Sequence, residues 1–147
     1  TGAADFTMDL SGSTIHPGAW DFPLKGLQAV AVRLSRREDI AALPDALSVA
    51  ARRCSGSCAY AFEGFAGAGF ADVEAIAQGI VSALPGDVIL IVKRDMAKAL
   101  GQALSRRTSQ RVLCLDGISV KDGDFIDIGK PLGGVFPVIV HTLLFGR

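Results

Sequence analysis

Cys54 and Cys58 stand four residues apart in the run CSGSC, and their type and spacing invite a chemical reading first. A structural zinc site needs two further ligands, and the candidates, Cys114, His16 and His141, fall at no metal-finger spacing. Packing at a helix end, or chance, is the competing reading. A cysteine–histidine nucleophile pair needs a thiol beside a base, and no spacing here sets one up. His141 lies within a strand-like pattern, which suits the face of a sheet better than a general base. Asp116, Asp122, Asp124 and Asp127 look at first like a metal cluster. However, Asp122-Gly123-Asp124 has the chemistry of a turn, and Asp127 falls on the polar face of an alternating run. Asp116 differs because it ends a run with the character of a buried strand, and ligands gather at the carboxyl ends of strands in open α/β sheets. Ser11-Gly12-Ser13-Thr14 strings hydroxyls around a glycine and can present backbone N–H groups to an anion; a plain tight turn is the alternative. No complete catalytic set emerges, and no metal site does.

The elements that must position these residues follow from periodicity. Leu24–Leu34 holds the apolar run Ala29-Val30-Ala31-Val32 and reads as a buried strand. Arg37–Arg53 carries apolar residues at near-helical spacing, with Ser35 as the expected N-cap and Pro44 in the first turns, where proline is tolerated. Ser57–Glu63 alternates as a strand, and Phe70–Leu84 forms a helix ended by Pro85-Gly86. Val88–Val92 and Val112–Leu115 are apolar throughout, the mark of parallel strands buried on both faces. Asp95–Arg107 places Met96, Leu100 and Leu104 on one helical stripe. Ser119–Ile128 alternates around Lys121-Asp122-Gly123-Asp124, where Asp-Gly marks a hairpin, and Val135–Phe145 returns as a long strand. The expectation is an α/β fold: a mixed sheet with about three helices packed on it and β-hairpins at both ends.

Composition bounds the function. The 147 residues are 50% hydrophobic and 20% charged, with Lys+Arg equal to Asp+Glu at 15 each. This is the size and make-up of one globular domain, and it is neither a disordered tail nor a disulfide scaffold. A nucleic-acid binder working through bulk charge has no net positive charge to use. The apolar runs are far shorter than the ~20 residues of a spanning helix. Thr1–Asp9 has neither a basic region nor a long apolar core, so it does not read as a signal peptide. Three cysteines, an odd set, suggest a reduced cytosolic protein.

Four segments, in order along the chain, resemble one family. They are Leu10-Ser11-Gly12-Ser13-Thr14-Ile15, Lys93-Arg94-Asp95-Met96-Ala97-Lys98-Ala99-Leu100-Gly101, Asp122-Gly123-Asp124-Phe125-Ile126-Asp127-Ile128-Gly129-Lys130-Pro131-Leu132 and the closing run Val135–Phe145. The chain is similar to the reactivating factors of ethanolamine ammonia-lyase, the EutA family. The resemblance implies a chaperone-like ATPase of the actin and Hsp70 kind, which rescues an adenosylcobalamin enzyme after cofactor damage by ATP-driven exchange of the dead cobalamin. ATP and Mg²⁺ are then the cofactors of the full-length protein, and ethanolamine ammonia-lyase is its partner. Neither nucleic acid nor membrane is expected as a partner. The resemblance places the protein in the cytoplasm, associated with an ethanolamine-utilisation microcompartment. Members are considerably longer, so residues 1–147 correspond to their C-terminal part, and the usual phosphate loops lie upstream.

Within that resemblance, Gly2 and Ala3 match a turn that backs the adenosine. The family pattern has a second glycine where this chain carries Ala4, whose methyl narrows backbone approach to a ligand. Ser11, Gly12, Ser13 and Thr14 match a second family segment. Phosphoryl transfer needs placed Mg²⁺, a phosphate-cradling backbone and a positioned water, and this chain alone supplies no such set, so no catalytic residue is expected in it. The alternative is an independent small-molecule-binding α/β module using the carboxyl ends of the strands at Val88–Val92 and Val112–Leu115. A small enzyme built on Asp116, His141 and Cys114 is a third reading. A biotinyl- or lipoyl-type carrier is rejected, because Asp122–Leu132 lacks the exposed lysine between hydrophobic neighbours at a hairpin tip.

Overall fold

The computed structural model describes residues 3–11, 15–16 and 20–143. Four strands run parallel and adjacent in chain order: β3 (Leu24–Ala31), β4 (Cys58–Phe62), β5 (Val88–Val92) and β6 (Val112–Asp116). The crossovers between them carry α1 (Leu43–Arg53), α2 (Phe70–Ala83) and α3 (Ala97–Ser105). Each crossover steps the same way across the sheet, and such connections are right-handed, so successive helices land on the same face. The packing agrees. Leu47, Ile76, Ile80, Leu100 and Leu104 share one core with Val30, Tyr60, Leu90 and Cys114 of the strands. Both β5 and β6 are buried along their whole length, as runs without polar alternation require.

The second face is covered by the sheet itself. Beyond β3 it continues antiparallel through β7 (Phe125–Ile128), β8 (Val135–Leu143) and β1 (Ala3–Ser11); the short β2 (Ile15–His16) pairs with β6 at the other edge. The order is β1-β8-β7-β3-β4-β5-β6-β2. Leu10, Ile126, Val138 and Val140 from one end share a core with Ile89, Ile91, Leu113 and Leu115 from the other, so the sheet is curled on itself. Ser11 and Ile15 belong to opposite edges yet lie four residues apart in sequence. Covalent reach therefore holds those edges within about 14 Å there.

The expected α/β class and the three helices hold, and several details differ. At the N-terminus β1 and β2 form no hairpin; they occupy opposite edges, β1 against β8 and β2 against β6. The C-terminal hairpin is β7–β8, closed through residues 129–134 and not through Lys121–Asp124. That Asp-Gly turn exists, with Gly123 at φ +90°, but it lies along β3. Gly123 N–H donates to the Ala29 carbonyl at 2.9 Å, Ala29 N–H to the Asp124 carbonyl at 2.8 Å, and Ala31 N–H to Asp122 Oδ1 at 2.8 Å. Residues 117–124 form no strand, and Ile118 among them is buried in the second core.

The helix expected over Arg37–Arg53 is a 3₁₀ segment, Arg37–Ala42, followed by α1. Pro44 has no N–H to give Ile40, so the regular ladder cannot run through this point. Ser35 does not cap the segment. Asp39 Oδ2 instead accepts the N–H groups of Ser35 at 2.9 Å and Arg36 at 3.1 Å, which holds the Asp39 carboxyl below its ordinary range.

Candidate functional site

Parallel strands bring their carboxyl ends to one rim, and the loops that leave β4 and β5 enclose a cleft of about 580 Å³. This lies within the range of small-molecule pockets, roughly 300–1,000 Å³. The first wall is the β4–α2 connection. It turns at Gly64 (φ +77°) and Gly67 (φ +75°), conformations that side chains rarely adopt. A Cβ on Gly64 would also stand 2.9 Å from Met96 Sδ and 3.1 Å from Val92 Cγ1, so glycine lets this loop pass against the end of β5.

Arg37 fastens this wall from the side. Its guanidinium meets Asp72 through Nε at 3.0 Å and Nη2 at 3.1 Å, reaches the Gly67 carbonyl at 3.4 Å and lies 5.4 Å over the Phe65 ring. Asp72 in turn accepts the Gly69 N–H at 3.0 Å, the return contact of a capping box at the start of α2. The two charges move each other's titration. Hydrogen bonding to Asp72 raises Arg37, while Arg37 first and the Gly69 N–H second lower Asp72.

The second wall is the β5–α3 connection, Lys93–Met96. Lys93 N–H donates to the Phe62 carbonyl and Arg94 N–H to the Glu63 carbonyl, each at 3.1 Å, so the β4–β5 ladder continues past the strand ends. This places two adjacent cations at the cleft. Lys93 reaches Glu63 only at 3.8 Å; Arg94 is exposed and makes no ion pair among the described residues. Phe65, Val73, Met96 and Ala99 supply the apolar part of the lining, and Asp95 adds one carboxylate.

Asp116 stands behind this wall. It is 1% exposed, opposite Val92 in register, and its Oδ2 accepts the Ala97 N–H at 2.6 Å. Met96, the N-cap residue of α3, offers no side-chain cap, so the carboxyl of β6 serves that helix end. Burial pushes the Asp116 carboxyl up, neighbouring Asp95 adds to this, and the Ala97 N–H opposes it. Asp116 is thus at the predicted rim but is an anchor for α3. The charged residues lining the cleft are Lys93, Arg94 and Asp95.

The other residues with chemical potential are dispersed. Cys54 and Cys58 are joined as a disulfide, with Cα atoms 6.0 Å apart, where α1 ends and β4 begins. This corrects the expected reduced state, because the turn between helix and strand brings the two Cα atoms into bonding range. Cys114 is fully buried, and burial drives its thiol far above the ordinary range, so no thiolate is available. Register places His16 opposite Cys114. Asp122 pairs with Arg53, and Asp124 Oδ2 accepts the Lys121 N–H within the turn. Asp127 and Asp5 flank His141, at 2.9 Å from Nε2 and 2.7 Å from Nδ1. The four aspartates therefore do not converge, and the described residues contain no group of three or more His, Cys, Asp or Glu arranged to hold a metal ion.

Gly2, Gly12, Ser13 and Thr14 lie outside the described residues. Ala3 and Ser11 are the two ends of β1, opposite Leu143 and Val135, about 27 Å apart along the strand. The structure does not bring these two together. Sequence reasoning passed over the cleft-forming glycines. Their signal was present: Gly64, Gly67 and Gly69 crowd between an expected strand and an expected helix, where a backbone must turn tightly.

No helix among the described residues is long and apolar enough to cross a membrane. A family model described as ethanolamine utilisation protein EutA matches residues 1–146. The chain is 31% identical over 153 residues to the ethanolamine ammonia-lyase reactivase EutA of Escherichia coli K12, covering 98% of this chain and 32% of that protein. It is 41% identical over 64 residues to the protein of the same name from Salmonella typhimurium LT2, covering 42% of this chain and 14% of that one. The chain therefore spans about a third or less of the curated relatives it matches. No solved structure matches it.

Proposed function

Because the chain belongs to the family of ethanolamine utilisation protein EutA, we propose that it forms one domain of an ethanolamine ammonia-lyase reactivase. The single observation that carries this is the family match running over residues 1–146, supported by a curated reactivase aligned with 98% of the chain. In this proposal the complete protein is chaperone-like, acts in the cytoplasm, and uses ATP and Mg²⁺ to exchange damaged cobalamin for adenosylcobalamin on the lyase. Its catalytic core has the actin and Hsp70 architecture.

The described residues do not fit a Mg²⁺–ATP centre. They offer no group of acidic or other ligating side chains that converges on one ion. At the cleft, the leading N–H of α3 is already taken by Asp116, and Asp72 places a carboxylate at the start of α2. A polyphosphate would find that N–H already bonded and no converging metal ligands among the described residues, where phosphoryl transfer needs donors and metal. We therefore assign nucleotide chemistry to residues outside this chain, and to this chain a supporting or lyase-docking role.

A test is co-elution of the full-length protein with the lyase blocked by an inactive cobalamin. The proposal expects a complex that is weakened when residues 1–147 are replaced by an unrelated domain. Full binding by that chimera would overturn the lyase-docking role of this chain. The cleft favours a second reading, a small-molecule-binding module.

A further inference from the structure

The cleft between the β4–α2 and β5–α3 connections has the features of a built ligand site, and its charges say what it would accept. Arg94 brings a positive charge to the lining, and Lys93, 3.8 Å from Glu63, brings a second, against the carboxylate of Asp95. Arg94 has no ion-pair partner among the described residues, and a planar guanidinium suits a carboxylate through two parallel hydrogen bonds. In the same lining, Phe65, Val73 and Met96 provide apolar contact for a hydrocarbon body. Both walls are held in place, one by Arg37 on Asp72 and the Gly67 carbonyl, the other by Asp116 on Ala97. Preorganised walls lower the ordering cost of binding.

The same geometry selects against polyanions. A phosphate cradle needs free backbone N–H groups at a helix start, and Asp116 occupies that position on α3. Asp95 adds negative charge to the lining. A single carboxylate can be neutralised by Arg94 and Lys93, whereas a di- or triphosphate carries more negative charge than these two side chains balance.

We propose that this cleft binds a compact small molecule with an apolar body and a single carboxylate group. The inference deepens the small-molecule reading and is independent of the reactivase reading, since its readout needs no lyase and no nucleotide.

The probe is 3-phenylpropionate, titrated into the full-length protein and followed by saturation-transfer NMR and calorimetry. Saturable binding is expected with a dissociation constant on the order of 1 mM. The uncharged 3-phenylpropionamide should bind about tenfold more weakly, and Arg94→Gln should lower affinity for the acid by about tenfold without changing that for the amide. Ala99→Trp should abolish binding of both by filling the cleft. Pyrophosphate should not displace the acid. Arg94 is exposed, so Arg94→Gln keeps the test decisive if the tryptophan variant fails to fold. Absence of saturable binding, equal affinity for acid and amide, or displacement by pyrophosphate would overturn the proposal.

Discussion

The carboxyl of Asp116 accepts the backbone N–H of Ala97 at 2.6 Å and so ties the end of β6 to the start of α3. Removing it leaves a buried helix end without its acceptor. Asp116→Ala should cost about 2–3 kcal/mol in urea unfolding. The Asp116 carboxyl titrates above its ordinary value of 3.8 because it is buried. The folded state therefore holds its proton more tightly than the unfolded state. Its contribution is fully present below the unfolded value and is lost as pH rises through the raised folded one. Asn cannot titrate, so Asp116→Asn should cost about 1 kcal/mol or less at neutral pH and remove this part of the pH dependence. A loss from Asn as large as that from Ala would contradict the assignment.

His141 is clasped between two carboxylates on three adjacent strands, Asp5 on β1 and Asp127 on β7. Asp127 also accepts the Gly26 N–H at 2.8 Å, which links the group to β3, where Lys25 contributes a further charge. The hydrogen bond to Asp127 first, and that to Asp5 second, hold His141 above its ordinary 6.5. Both ring nitrogens can donate only when the ring is protonated. The stabilisation is therefore present in full below about pH 6.5 and is lost as pH rises through the raised folded value. Exposure screens the pair, so about 0.5–1 kcal/mol is expected, read as the difference between wild type and His141→Gln at pH 6 and at pH 9. Proton NMR should show the His141 titration midpoint falling in Asp127→Asn.

Cys54 and Cys58 close a very short loop, for which chain entropy gives about 2 kcal/mol of stabilisation. The double substitution to serine should lower unfolding stability by about that amount. A thiol assay on residues 1–147 purified without reductant should detect no reactive cysteine, and after unfolding it should detect one, Cys114. Three thiols after unfolding would refute the pairing.

Gly64→Ala combines a positive φ with a Cβ placed against Met96 and Val92, so a loss of about 2 kcal/mol is expected. Gly86, which has open space around it, serves as the control, and Gly86→Ala should be near neutral.

The parallel half of the fold was legible because each strand there carries its own signature. Val88–Val92 is apolar at all five positions, and the structure places β5 over the same residues. The antiparallel half is legible only in part: Val135–Phe145 reads as a strand and β8 covers Val135–Leu143, but its pairing is long-range. Ala3 meets Leu143, and no local pattern announces a partner 140 residues away. The Asp-Gly turn was read correctly as a turn and wrongly as a hairpin, since its hydrogen bonds go to β3. Asp116 was singled out for its place at a strand end. Only the structure shows that its carboxyl is spent on Ala97, while the neighbouring Lys93 and Arg94 line the cleft.

The most direct test of membership in a reactivase is restoration of activity. Ethanolamine ammonia-lyase blocked by an inactive cobalamin would be incubated with Mg²⁺, ATP and adenosylcobalamin, with either the full-length protein or residues 1–147 alone. Recovery is expected with the full-length protein and none with the isolated chain. Failure of the full-length protein to restore turnover, or recovery by the isolated chain, would contradict that expectation.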